Sequence, residues 1–542
     1  MSVREVGEFD FVVVGAGSAG CVLANRLSAD GRHRVALLEA GGTGDSFFIR
    51  MPIGYGKAAF EPGHSWHYFS APEPGLGGRR VLLPRGKGLG GSSNINGLIY
   101  IRGQAADYAD WAAQGAGGWD WPDVLPWFLH SERSLQRDGA FHSAAGAMRV
   151  QRASERDSTN AAVLAAFAAT GTPGVDDFND GSQWGCGYYD SIIDRGERWS
   201  AARVFLQPAR SRPNLSVFTG MLANRVLFAG RRATGIECRG EGGTCRFTAR
   251  REVLLCAGAY HSPQLLQLSG VGDPALLAAH GIDVVLPRSG VGENLQDHYV
   301  VPMGFRVRPG VFSYNRELAG FGLLRNLLRY LIRRDGPLTI PAAQSGAFVR
   351  SDPQVARPDL QYHCLPVTGD LEVAAKGGKG QLSPLPGLTI APCVLRPASR
   401  GSVKIASGNS AEPPRATHNY LVDELDRVIT LRGMRIARSV AASAPLRHLI
   451  ETEADPGPDA TSDDALLAFA RQFGSTGYHP VGTCRMGSDA AAVVDPQLRV
   501  CGIEGLRVAD ASVMPTLISG NTHAACVMIG ERAADFVLRA AR

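Results

Sequence analysis

The chain has 542 residues, 44% hydrophobic and 20% charged, with a formal net charge of +5. That length calls for two interleaved or tandem domains of ordinary globular composition. So diluted a cationic excess argues against a nucleic-acid partner, and ten cysteines without a C-x-x-C pair argue against a zinc site or a disulfide framework.

The opening run "MSVREVGEFDFVVVGAGSAG" has no charged-then-apolar leader, and no window of eighteen apolar residues follows. A reduced, cytoplasmic chain without a spanning helix is the expectation. Residues 11–14 are apolar and mostly β-branched, as in a buried parallel strand. Gly15, Gly17 and Gly20 then form G-x-G-x-x-G. The first glycine permits the tight turn, the second lets a pyrophosphate approach the backbone, and the third lets the helix sit on the strand. A helix over 18–28, opened by Ser18 and Ala19, offers its N–H groups to that pyrophosphate. The next strand, "RVALLEAG", ends on Glu39 and Ala40. A carboxylate at position 39 suits a ribose 2′-hydroxyl and repels a 2′-phosphate. The unit predicts a dinucleotide; it does not distinguish NAD from FAD.

The second glycine-rich run, "PRGKGLGGSSNINGLIYIRG", covers residues 84–103. It brings Arg85, Gly86, Gly90, Gly91, Ser92, Asn94, Asn96 and Gly97, an open backbone able to wrap a flat ring. The third, "LLCAGAYHSPQLLQLSGVG", carries Ala257 and Gly258, with Ser262 and Pro263 reading as a helix start. In "FGLLRNLLRYLIRRDG", Leu and Ile share one helical face while Arg325, Arg329 and Arg333 repeat every four residues. Such a stripe fits an interfacial helix drawn to anionic lipid or the solvated edge of a globular helix. "PDLQYHCLPV" and "GSVKIAS" alternate like strands, and "YLVDELDRVITLRGMRIARSVAA" has helical spacing. His479 in "YHPVGTCRMG" reads either as a structural histidine or as a base, since the unperturbed pKa of an imidazole, about 6.5, lies near working pH. Cys484 reads as a small packed residue, Arg485 as an anchor of the turn, and His261 and His298 as structural.

These segments, with "GVGENLQDH", "LRVADASVMP" and "SGNTHAACVMIGERAAD", resemble the glucose–methanol–choline family of FAD oxidoreductases across nearly the whole chain and in the family's order. The resemblance is nearest to bacterial FAD alcohol dehydrogenases and choline dehydrogenases. It implies an α/β fold, α+β overall: a Rossmann-type FAD domain over 1–155, 195–305 and 480–542, and a substrate domain on an antiparallel sheet with helices over 156–194 and 306–479. The loop "GGSSNING" has no His or Cys, which implies non-covalent FAD. Val226 is implied as an adenine contact, and Asp510 and Ala511 as the turn facing the pyrophosphate and ribityl chain.

The resemblance also implies an alcohol substrate, with His479 as the base and Asn521 as its partner. "GNTHA" stands where many relatives have "GNTNA", so His523 is expected near the flavin pyrimidine edge; the opposite assignment of Asn521 and His523 stays open. Gln344 and Ala347, in "QSGAF", replace residues of a segment that in relatives often holds Glu, which argues against a quaternary ammonium substrate. A neutral primary alcohol is expected, oxidised to its aldehyde. The electron acceptor is a quinone, an artificial acceptor or O₂, in the last case releasing peroxide. Weak association with the inner-membrane surface would suit a quinone. The family also includes hydroxynitrile lyases and a light-driven decarboxylase. No metal is expected.

Overall fold

The computed structural model describes residues 3–152, 156–375 and 381–541. The expected boundary at 155/156 abuts residues 153–155, outside those described.

Strand β1, Arg4–Val14, is the spine of the first sheet, and its last residues are completely buried. It is followed by α1, Ser18–Leu27, and by β2, Val35–Leu38. The chain returns much later with β3, Leu215–Phe218; β4, Leu222–Ala229; β5, Arg232–Gly240; and β6, Gly243–Leu255. The last strand, β7, is Leu506–Val508. The sheet order is β3-β2-β1-β6-β5-β4, with β7 added beside β6. β1 pairs in parallel with both β2 and β6, and β6 with β7. In this register Val14 lies opposite Leu38 and Leu255, and Leu255 opposite Val508. The carboxyl ends of four strands therefore coincide, the position where open α/β sheets bind ligands.

The second sheet has eight strands, and its pairings are antiparallel. Its main path runs through Ile450–Asp455, Met303–Val307, Gly387–Val394, Leu360–Leu365, Ser345–Val349 and Gly185–Tyr188. Val300 and Ser475, on its two short strands, face the same cavity as the ends of the first sheet. The fold is thus mixed α/β, with a Rossmann-type half and an antiparallel half.

Two helices fix the cofactor side. The helix α2 spans Gly258–Leu268, beginning four residues before the Ser262 start read from the sequence. Pro263 lies inside it and cannot donate to Ala259 O. That carbonyl accepts Thr483 Oγ1–H instead, at 2.7 Å. The reading failed because it took Pro263 for the first helical residue, whereas the helix continues through it. A third helix, α3, Gly320–Arg333, lies at the surface. The C-terminal helix α4, His523–Ala540, packs along α1, where Gly530 leaves room for Ala19. Among the described residues no helix is long and apolar enough to cross a membrane.

Candidate active site

A cavity of about 580 Å³ opens where the strand ends meet. Gly15 sits at φ +99°, and a Cβ there would lie 2.6 Å from Cys256 O. A Cβ on Gly20 would lie 1.9 Å from Gly15 O, so this glycine holds α1 against β1 without itself lining the cavity. Gly15, Gly17, Ser18 and Ala19 do line it, and no side chain caps the start of α1. The first N–H groups of the helix are thus left for an anion. Glu39 follows β2. Its Oε2 accepts Ala16 N–H at 3.0 Å, and its Oε1 accepts Gly41 N–H at 2.8 Å and Gly88 N–H at 3.0 Å. Burial raises its pKa against these donors. Ala40 lies beside it on the wall.

Of the second glycine run, Arg85, Gly86, Gly91, Ser92, Asn96 and Gly97 reach the cavity. Gly90 and Asn94 do not. Gly90 N–H donates to Ala16 O at 2.7 Å, tying this loop to the dinucleotide turn, and Asn94 Nδ2–H donates to Leu89 O at 2.8 Å within the loop. Ala257, Gly258, Asp510 and Ala511 line the far wall. Asp510 Oδ2 accepts Gly258 N–H at 2.8 Å and Ser262 Oγ–H at 2.5 Å, fixing the turn.

Val226 lies away from the cavity. A register shift between Ala223 and Arg225 re-phases β4, and Val226 N–H donates to Ser269 Oγ at 2.8 Å. Met221, Leu222 and Ala223 take its place on the wall.

The reactive end is built on His479. Its backbone N–H donates to Asp297 Oδ1 at 2.7 Å, and its ring faces the cavity. His298 is not merely structural. Its Nε2 lies 3.0 Å from Leu395 O, which only accepts, so Nε2 carries the proton. Burial lowers the His298 pKa to about 4, leaving the ring neutral and Nδ1 an acceptor. His479 Nδ1 is 2.8 Å from it and must donate. Burial first, then the neighbouring His298, His363 and Arg85, hold the His479 pKa well below its usual value. His479 Nε2 is left as an acceptor, taking Asn521 Nδ2–H at 3.2 Å. The Asn521 amide is oriented by Gln361, whose Nε2–H donates to Asn521 Oδ1 at 3.4 Å. This proton arrangement is assigned from the hydrogen-bond network.

Asn521 and His523 do not lie on an extended strand; α4 begins at His523. His523 Nδ1 is 2.9 Å from Ser18 Oγ, so the ring lines the cavity beside the glycine turn at the start of α1. Burial lowers its pKa to about 4. Gln344 also falls outside the cavity wall: its Oε1 accepts Tyr314 Oη–H at 2.8 Å and Asn160 Nδ2–H at 3.2 Å. Ala347 is buried in the second sheet. Cys484 is fully buried as expected, and Arg485 pairs with Asp489 through both nitrogens at 2.8 and 2.7 Å. His261 lines the wall with Nε2 2.6 Å from Tyr68 Oη.

His363 went unread in the sequence. It lines the cavity, and burial together with His298 lowers its pKa to about 4. The alternation of "PDLQYHCLPV" identifies its strand, but nothing in the sequence sets His363 apart from any other strand histidine. Among the described residues no group of three or more His, Cys, Asp or Glu is placed to hold a metal.

An uncapped helix start at a glycine turn, a carboxylate after β2 and a neutral imidazole in one cavity are the features of a dinucleotide-dependent oxidoreductase. Sequence models of the GMC oxidoreductase family match residues 9–300 and 397–530. The chain belongs to the GMC oxidoreductase family, whose cofactor is FAD. It is 38% identical to the oxygen-dependent choline dehydrogenase of Brucella canis, across 98% of this chain and 96% of the relative. It is 39% identical to the alcohol dehydrogenase [acceptor] of Pseudomonas putida, over the same shares. Among solved structures, a formate oxidase of Aspergillus oryzae superposes with a TM-score of 0.92 at 25% identity, covering 100% of this chain and 99% of that one. Pyridoxine 4-oxidase from Mesorbium loti gives 0.86 at 29% identity, covering 97% and 98%.

Proposed function

We propose that the protein oxidises a neutral primary alcohol, aliphatic or aryl, to the aldehyde, with His479 as the base and Asn521 as the group that fixes the alcohol oxygen. The observation that carries this is the unprotonated His479 Nε2 facing the cavity beside the Asn521 amide. The alcohol hydroxyl donates to His479 Nε2, and Asn521 Nδ2–H donates to the alcohol oxygen. His479 then takes the proton at Nε2 as the carbon–hydrogen bond breaks, while His298 Nδ1 goes on accepting the His479 Nδ1–H. Bound FAD supplies the hydride acceptor.

Glu39, Gly17 and the start of α1 would hold the ribose and pyrophosphate, and the Arg85–Gly97 backbone the flavin ring. The loop over residues 84–97 contains no His or Cys, which supports dissociable FAD. The carboxylates lining the cavity among the described residues are Glu39 and Asp510, both at the dinucleotide end. Arg85 Nη1–H instead donates to Tyr478 O at 3.1 Å, beside His479. A cationic alcohol would meet a guanidinium there and, among the described residues, no carboxylate on the cavity wall at that end; Asp297 lies behind His479, held by its backbone N–H.

Relatives named alcohol and choline dehydrogenases support alcohol oxidation. The acceptor, a quinone or O₂, and a cytoplasmic location peripheral to the inner membrane belong to the same proposal. So does the discontinuous division into a flavin part, 1–155, 195–305 and 480–542, and a substrate part, 156–194 and 306–479. The test is anaerobic mixing of holoenzyme with an alcohol panel while following flavin bleaching. Neutral primary alcohols should bleach it; preference for choline over a neutral alcohol of similar size would refute the substrate assignment.

A further inference from the structure

Helix α3 is inside out for a globular protein. Its polar Asn326 and the Tyr330 ring are buried, whereas Phe321 is 78% exposed, Ile332 79%, and Leu324, Leu328 and Leu331 about half exposed. An amphipathic helix normally turns its apolar stripe to the core. Here the inward face is held by Asn326, whose Nδ2–H donates to Glu317 Oε2 at 2.8 Å, and by Tyr330 and Leu327 packed with Met51 and Leu338, while at the rim Arg329 Nε–H donates to Asp335 Oδ1 at 2.6 Å. The orientation is therefore anchored, and the apolar face is left outward. Phe47, 40% exposed, packs edge-on against Tyr330 and extends the patch.

The patch is framed by a net positive charge. Residues 316–335 carry five arginines against Glu317 and Asp335, and Arg325, Arg333 and Arg334 are exposed. Their stems can lie along an apolar surface with the guanidinium groups at headgroup level. An apolar strip rimmed by arginine is complementary to an anionic lipid leaflet. A second copy fits less well. Fourteen residues make a strip about 21 Å long and about 10 Å wide, short of the ~800 Å² per partner that a stable dimer buries, and a two-fold axis would bring arginines together.

The strip also adjoins the cavity wall. Tyr330 packs with Met51 and Leu338. Tyr55, Gly56 and Ala343, which follow those two residues closely in the chain, line the cavity. We infer that α3 docks the protein on an anionic membrane surface through Phe321, Leu324, Leu328, Leu331 and Ile332, bringing the cavity to where apolar alcohols partition.

The experiment is cosedimentation of holoenzyme with phosphatidylcholine vesicles, with and without phosphatidylglycerol, beside the double variant Leu328→Glu/Ile332→Glu. Both substituted residues are exposed, so folding is checked simply by flavin content and by turnover of a water-soluble alcohol, which should match wild type. Wild type should sediment with the anionic vesicles, and the variant's partitioning should fall about 100-fold. No sedimentation of wild type, equal binding by the variant, or equal binding to neutral vesicles would each overturn the inference. So would a wild-type dimer in sedimentation equilibrium that the variant dissolves. Catalysis is read separately, so failure here leaves the alcohol oxidation reading standing.

Discussion

Replacing His298 by Leu tests the proton arrangement most directly. In the native protein His479 Nδ1–H donates to His298 Nδ1 at 2.8 Å, which commits the lone pair to Nε2 at the cavity. Leucine removes the acceptor and leaves a buried N–H without a partner, at a cost of about 1–3 kcal/mol. The ring escapes that cost by moving its proton to Nε2, the tautomer that cannot take a proton from the alcohol. With each ~1.4 kcal/mol worth tenfold, kcat/KM should fall about 5- to 150-fold. Glutamine at the same position keeps an acceptor oxygen for His479 and an amide N–H for Leu395 O, so His298→Gln should recover most of the rate. The assay is anaerobic stopped-flow reduction of the bound flavin, with FAD content checked in each variant. Wild-type rates in His298→Leu, or a glutamine variant as slow as the leucine one, would refute the tautomer argument.

Asn521→Ala should slow flavin reduction by at least about tenfold, the loss of one hydrogen bond with a partner left unpaired. His523→Ala should chiefly weaken FAD retention, seen as faster loss of flavin on gel filtration. The pH profile of kcat/KM should stay flat to well below pH 6.5. The folded-state pKa of His479 is depressed, so the basic form persists as pH falls, and an acidic limb at or above 6.5 would contradict this. Gly20→Ala should cost FAD binding and lower the melting temperature, because its Cβ would lie 1.9 Å from Gly15 O with only backbone to move.

Much of the cofactor half was legible because each glycine there answers a local geometric demand. Gly15 needs positive φ, Gly20 needs contact distance, and Glu39 must end the next strand; all three follow from spacing along forty residues. Resemblance carried His479 and Asn521, which no local pattern joins. That Val226 sits off the cavity wall was not legible, because a register shift between Ala223 and Arg225 leaves no trace in hydrophobic alternation. His298 was read as structural because its importance lies in the two atoms it touches, His479 Nδ1 and Leu395 O, which are 181 and 97 residues away. Gln344 was weighed against the substrate, yet it faces Tyr314 and Asn160, since facing in a sheet depends on partners the sequence does not number.

The parallel strands that meet at Val14 have a consequence for how the molecule comes into being. β1 must wait for β6 some 240 residues later, and β6 for β7 close to the carboxyl terminus. α1 likewise waits for α4, to which the Arg26–Glu531 ion pair at 2.7 Å fastens it. Contacts so distant in sequence close slowly. A nascent chain emerging from the ribosome therefore carries its glycine turn and unpaired strand edge for most of translation before the residues that complete them are made. Residues 479–540 act as the keystone: they supply β7, α4 and the proposed catalytic pair, so a chain that stops short of them lacks all three.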